Sequence, residues 1–206
     1  MDNGGIVLSQ MTKRALAASL KKQMQNASFD KITVKDVVEE CGVNRQTFYY
    51  HFQDIYDLLG WIYQTEAIGA ISDYRTYETW QQGFLKIFQY VRENRSFCLN
   101  TYHSLARDHL EDFLHSLVFD LLMGVIDEVI DRTPGGERVS IADRNFIADF
   151  YAFAFIGLLL NWLRTGLKEE PESIVRDLSI LVEGDIEKAV HKFIANPPTN
   201  SFVGRK

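Results

Sequence analysis

The chain has 206 residues, with 22 Lys and Arg against 28 Asp and Glu, and a formal net charge of −6 at neutral pH. That length can bury a sizeable core as one large or two small domains. The acidic balance excludes a protein that holds nucleic acid over its whole surface. Charge is unevenly placed: residues 1–60 hold 7 basic and 7 acidic residues, leaving 15 and 21 for the remainder, so the whole deficit lies beyond residue 60. Cys41 and Cys98 lie far apart with no CxxC spacing. They point to neither a disulfide framework nor a zinc site, and read as small buried apolar residues in a reducing cytoplasm.

Taken in order, Met1–Met11 contain Asp2, Asn3, Gly4 and Gly5 and are expected to be mobile. They lack the basic segment and apolar core of a signal peptide. Thr12 is the expected cap of a first helix with Leu16, Leu20 and Met24 as its inner stripe and Lys13, Arg14, Lys21 and Lys22 on its other faces. Asn26 and Ser28 end it, and Phe29 and Ile32 pack beneath the next two helices.

Thr33 to Phe52, TVKDVVEECGVNRQTFYYHF, reads as two short helices joined by a tight turn. Thr33 and Asp36 have capping-box spacing, and Val34, Val37 and Val38 recur at helical intervals. Gly42 falls where the chain must turn, since glycine tolerates positive φ. Asn44 caps the second helix, on which Phe48 and Phe52 face inward together. Arg45, Gln46, Thr47, Tyr49, Tyr50 and His51 are left outside. A helical face of these types, almost free of carboxylates, suits base edges and phosphates.

Asp54 opens a helix with Leu58, Leu59, Ile62 and Tyr63 inward, and Trp61, Ile68 and Ile71 continue its apolar pattern. Further helices are expected at about 77–92, 97–106 and 109–130, by apolar recurrence at three- and four-residue steps. Thr133-Pro134-Gly135-Gly136 is a loop. Ser140 and Asp143 start a helix running to about Thr165, with Gly166 as its C-cap. Within it, Phe150–Leu160 is too short for a membrane span, which needs ~20 residues, and is expected to be buried on most sides. Pro171 opens a single last helix striped by Ile174, Leu178, Leu181, Val182, Ile186 and Val190. Asn196-Pro197-Pro198 ends it, and the tail to Lys206 is expected to be disordered. The whole chain should be all-α.

The ordered set Phe29, Ile32-Thr33-Val34, Val37 to Cys41, Gly42-Val43, Thr47-Phe48-Tyr49-Tyr50-His51-Phe52 and Leu58-Leu59 resembles the DNA-binding domain of the TetR family of bacterial transcriptional regulators. Asn161-Trp162-Leu163-Arg164-Thr165-Gly166 with Pro171-Glu172 further resembles a subgroup that includes regulators of dihydroxyacetone kinase operons. Many members carry a Lys where this chain has Ile55. The resemblance implies an N-terminal three-helix helix-turn-helix domain, residues 1–55, and a C-terminal helical bundle, residues 56–206, for ligand binding and dimerisation through a four-helix interface. It also implies that Lys13 or Arg14 lies near phosphate, that the helix after Asp54 links head to body, and that the body holds a small-molecule pocket.

The expected function is that of a cytoplasmic, dimeric DNA-binding regulator, usually a repressor, on a pseudo-palindromic double-stranded operator, responding to a small-molecule effector. No cofactor, metal or membrane is expected. The DNA-binding residues are Thr33, Lys35, Arg45, Gln46, Thr47, Tyr49, Tyr50 and His51. Arg45 and Gln46 are assigned to base edges, and Lys35, Thr47, Tyr49, Tyr50 and His51 to phosphates or thymine methyls. Pocket candidates are polar or aromatic residues on apolar helices: Tyr90, Tyr102, His103, Phe119, Asn161 and Trp162. An alternative is a protein-interaction module acting through a partner with little or no direct DNA binding. Catalysis finds weak support. Glu111 and His115 share a helical face without a third ligand, and no nucleophile turn or phosphate loop is present.

Overall fold

The computed structural model describes residues 3–71 and 73–196, leaving aside the side chains of 3–6 and 67–70. The expectation for the tail beyond Pro197 lies outside the described residues, as does that for the Ile68 side chain. Every regular element among the described residues is helical: α1 Asn3–Gln23, α2 Val34–Cys41, α3 Arg45–His51, α4 Ile55–Ile71, α5 Trp80–Glu93, α6 Arg95–Tyr102, α7 Arg107–Arg132, α8 Ile141–Arg164, α9 Pro171–Val182 and α10 Asp185–Ala195. The chain divides into two compact units: residues up to 70 with 89–114, and residues 71–88 with those from 115 onward.

The first unit is built on the expected stripe. Leu16, Leu20, Phe29, Val37, Phe48 and Leu58 are buried together. Ser19 donates to the Val37 carbonyl at 2.8 Å, tying α1 to α2 through a buried hydroxyl. Tyr63 stacks on Phe113 with centroids 4.8 Å apart, and its hydroxyl donates to Thr101 Oγ1 at 2.9 Å. Burial raises the Tyr63 phenol well above its ordinary range and pushes the Cys98 thiol up to about 12, so Cys98 is an inert packing residue.

The second unit is aromatic at its centre. Phe84 meets Phe155 edge-on at 4.4 Å and Phe88 meets Trp162 at 5.2 Å. The Ser140–Asp143 capping box opens α8 as expected. At its other end Leu167 N donates to Trp162 O and Gly166 N to Leu163 O, closing a Schellman turn.

Three expectations are corrected. The first helix starts at Asn3, so Met1–Met11 is not a mobile lead-in as a whole; Thr12 lies inside the helix and its hydroxyl turns back to the Leu8 carbonyl at 3.0 Å instead of capping. The last helix is two helices, because Gly184 adopts φ 72° and breaks it between α9 and α10. The apolar run of α8 is not buried on most sides. Phe146, Phe150, Phe153 and Leu158 are exposed, as are Ile180 and Leu181 of α9, since neighbouring helices cover only the opposite side. The 24-residue α8 is long and apolar enough to cross a membrane by composition, yet 44% of its most apolar window is packed inside the chain.

Candidate nucleic-acid interface and effector cavity

The two-helix unit forms through local hydrogen bonds that the sequence specifies. Thr33 Oγ1 accepts from Asp36 N at 3.3 Å, and Asp36 Oδ2 accepts from Thr33 N at 2.8 Å. The Thr33 hydroxyl, donating to Asp36 Oδ2 at 2.6 Å, and then the Thr33 backbone N–H hold the Asp36 carboxyl below the usual carboxylate range. Gly42 then takes φ 71°, allowing the Val43 N–H to close back on Val38 O at 3.0 Å. Asn44 Oδ1 accepts from both Thr47 N at 2.8 Å and Thr47 Oγ1 at 3.0 Å, so Thr47 is partly engaged in its own cap.

Phe48 of α3 and Phe52, its C-cap, are buried and hold the helix against the first unit's core. Arg45, Gln46, Tyr49 and Tyr50 stand in solvent, Tyr50 at 82% exposure, while Thr47 and His51 are half-buried. The Tyr50 ring meets the His51 imidazole edge-on at 4.9 Å. Burial, and then the nearby Lys13, push the His51 pKa down, leaving the imidazole neutral at physiological pH. No acidic side chain belongs to α3, so its outer face combines donors and aromatic edges without a repelling carboxylate.

The flanking cations differ in availability. Lys13 lies over the Phe52 and Trp61 rings at 5.4 and 5.9 Å. Lys21 is held by Glu66 at 2.7 Å and Asn94 at 2.8 Å, and Lys22 pairs with Glu40. Lys35 makes a long contact, 3.7 Å, to Glu39 one turn away, and with Thr33 it is exposed at the start of α2. Ile55 begins α4, whose cap is Asp54 accepting from Asp57 N at 2.8 Å.

The six effector candidates are not brought together. Tyr90, Tyr102 and His103 belong to the first unit; Phe119, Asn161 and Trp162 belong to the second. Local partners occupy most of them. Tyr90 donates to Glu66 at 3.1 Å, Arg107 covers the Tyr102 ring at 4.6 Å, and Phe119 stacks on His115. Asn161 accepts from Arg164 at 2.7 Å, and Trp162 Nε1 donates to the Glu169 carbonyl at 2.9 Å. His103 caps α6 in solvent. The second unit instead has a cavity of about 360 Å³ lined by residues that include Tyr77, Trp80, Tyr151 and Phe155, none of them among the six. Their spacings, i to i+3 on one segment and i to i+4 on α8, carry only a core-like pattern in the sequence. Glu111 and His115 fall in different units, the first bonded to Arg107 and the second to Asp149.

A capped helix pair whose second helix presents a carboxylate-free outer face defines the class: a helix-turn-helix DNA-binding regulator. Residues 16–60 match the bacterial regulatory proteins, tetR family, and residues 78–184, just over half the chain, match the transcriptional regulator C-terminal region TetR_C_8. The chain belongs to the TetR family of transcriptional regulators, which are DNA-binding proteins and not enzymes.

Over 89 residues the chain is 34% identical to the HTH-type dhaKLM operon transcriptional activator DhaS of Lactococcus lactis subsp. lactis (strain IL1403), across 43% of this chain and 48% of that protein. It therefore spans about half the length of that curated relative. Among solved structures, the dihydroxyacetone kinase operon activator DhaS shares the fold with a TM-score of 0.66 at 24% identity, covering 86% of this chain and 97% of that one. The TetR family repressor AlkX from Dietzia sp. strain DQ12-45-1b shares it with a TM-score of 0.52 at 14% identity, covering 86% and 96%.

Proposed function

We propose that the protein is a cytoplasmic homodimer that binds a pseudo-palindromic operator through α3 and releases or grips it according to a small molecule held in its C-terminal part. Residues 1–55 serve as the reading head and 56–206 as the ligand-binding and dimerising body. The observation that carries this is the outer face of α3: Arg45 and Gln46 at its exposed start, Tyr49 and Tyr50 beyond them, and no carboxylate. Arg suits guanine and Gln suits adenine in the major groove. Thr33, Lys35, Thr47, Tyr49, Tyr50 and His51 then serve the backbone and thymine methyls.

One helix of seven residues reads few base pairs, so two half-sites are needed, and a second copy supplies the other. The exposed Phe146, Phe150 and Phe153, at i, i+4 and i+7 of α8, and Ile180 and Leu181 of α9 support that second copy, since large apolar side chains gathered in water mark an association site. The ligand acts by its differential affinity for the two dimer geometries.

Repression is the mode we assign by the family's habit. A second reading, activation, is favoured by the relative DhaS, which is a transcriptional activator. A reporter fused to the selected operator separates them: deletion of the regulator raises expression under repression and lowers it under activation.

In-vitro selection of DNA sites at two salt concentrations tests the whole proposal. The expected result is an inverted repeat bound with a steep salt slope. A folded dimer that recovers no site, with and without metabolite extract, would overturn it in favour of a module acting through a protein partner.

A further inference from the structure

The cavity in the second unit has a consistent chemistry. Its walls are aromatic: Trp80 and Phe155 lie parallel, 4° apart in plane with centroids separated by 6.3 Å, and Tyr77 and Tyr151 complete the lining. Glu78 and Glu183 also line it, and no Lys or Arg does. A third carboxylate, Glu187, accepts from the Tyr77 hydroxyl at 3.2 Å. Among the described residues none of these three glutamates is paired with a cation. The nearby Asp185 has one, Lys188, at 3.0 Å. The Tyr77 and Tyr151 phenols both titrate above their ordinary range, first through burial and then through the negative charge of Glu187 and Asp185 respectively.

Aromatic faces carry negative quadrupole charge and attract a cation placed over them. Uncompensated carboxylates on the same lining add to that attraction and repel an anion. We infer that this cavity binds an organic cation with an aromatic or compact alkyl body, of the aryl- or alkyl-ammonium class. Its volume accommodates one such molecule, within the range of small-ligand sites. Ile180 belongs both to the lining and to the exposed apolar surface of α9. An occupant therefore touches the border of the surface proposed for the second copy. That consequence rests on the regulatory function proposed above; the binding itself does not.

Calorimetry on the full chain without DNA, using the (4-hydroxyphenyl)trimethylammonium ion and its neutral isostere 4-tert-butylphenol, tests the inference. The expected result is saturable binding of the cation at least about tenfold tighter than the isostere. The double substitution Glu78→Gln with Glu183→Gln should remove most of that preference while leaving the affinity for the phenol unchanged. Circular dichroism checks that the variant is folded. Equal affinity for the two probes, a preference untouched by the double substitution, or no binding of the cation up to millimolar concentration would each overturn the assignment. Operator binding measured in parallel keeps the two proposals apart. An operator found without cation binding removes only the ligand class, and cation binding without an operator removes only the regulatory function.

Discussion

Asn100 of α6 accepts the Phe29 backbone N–H on its Oδ1 at 2.8 Å and so fixes the loop that leads into α2. The same amide donates through Nδ2 to the Met24 and Ala27 carbonyls at 2.7 and 2.6 Å. One partly buried side chain thus satisfies three backbone groups between α1 and α2. Asn100→Ala leaves all three without that partner and should lower stability by about 1–3 kcal/mol. Asn100→Asp should be no milder at neutral pH, because its carboxylate would face two carbonyl oxygens. Urea denaturation midpoints of the two variants check this. An unchanged midpoint for both would show that water replaces the amide without loss.

Legibility in the sequence depends on the range of each interaction. The Thr33–Asp36 box, the Asn44 cap and the Phe48–Phe52 pair span four residues or fewer, and each lies where local pattern places it. The Asn100 clamp joins residues more than seventy positions apart, so no periodicity could announce it. Periodicity also says which side chains avoid water but not what covers them, which is why the outer face of α8 reads as buried when it is not. Tyr90, Asn161 and Trp162 stand out in the sequence as polar groups in need of a ligand, but each has a hydrogen-bond partner within the chain. The cavity is illegible for the opposite reason: its aromatic residues look like core until α5, α7, α8, α9, α10 and the segment before α5 come together around one space.

Arg45 and Lys35 should separate base reading from phosphate binding. Arg45 is exposed at the start of α3, clear of the Asn44–Thr47 cap. Arg45→Ala should cost about 1–3 kcal/mol on the operator and relax specificity at one position. Lys35, loosely held by Glu39, should on removal weaken all sequences alike and reduce the salt slope by about 1. Fluorescence anisotropy on operator and scrambled duplexes distinguishes the two. Equal losses on both duplexes for Arg45→Ala would remove it from base recognition.

Phe150 is 63% exposed at the middle of α8, with Phe146 and Phe153 on either side. Association of two copies through this surface would remove all three from water, and a charge there would be buried without a partner. Phe150→Glu should therefore convert a particle of about twice 23.7 kDa into a monomer while α-helical content is kept. Light scattering after size exclusion measures it. Operator affinity should fall together with the dimer, since each copy reads only one half-site. A variant that stays dimeric would place the interface elsewhere.

His51 should make operator binding sensitive to pH. In the free protein its pKa is depressed by burial and by Lys13, below the ordinary 6.5. The folded chain therefore binds fewer protons at this site than the unfolded chain, and the site's contribution to stability falls as pH drops from 6.5 through the folded value. A phosphate brought against the ring acts in the opposite sense: it stabilises the imidazolium, so complex formation takes up a proton. Operator affinity should then rise as pH falls from about 7.5 to about 6, in a range where carboxylates remain ionised. His51→Gln keeps a hydrogen-bonding side chain but cannot titrate, and should flatten that rise. Anisotropy titrations at constant ionic strength measure both curves. Parallel curves for the wild type and His51→Gln would show that His51 does not touch the backbone, leaving Lys35 and the tyrosines to position the helix.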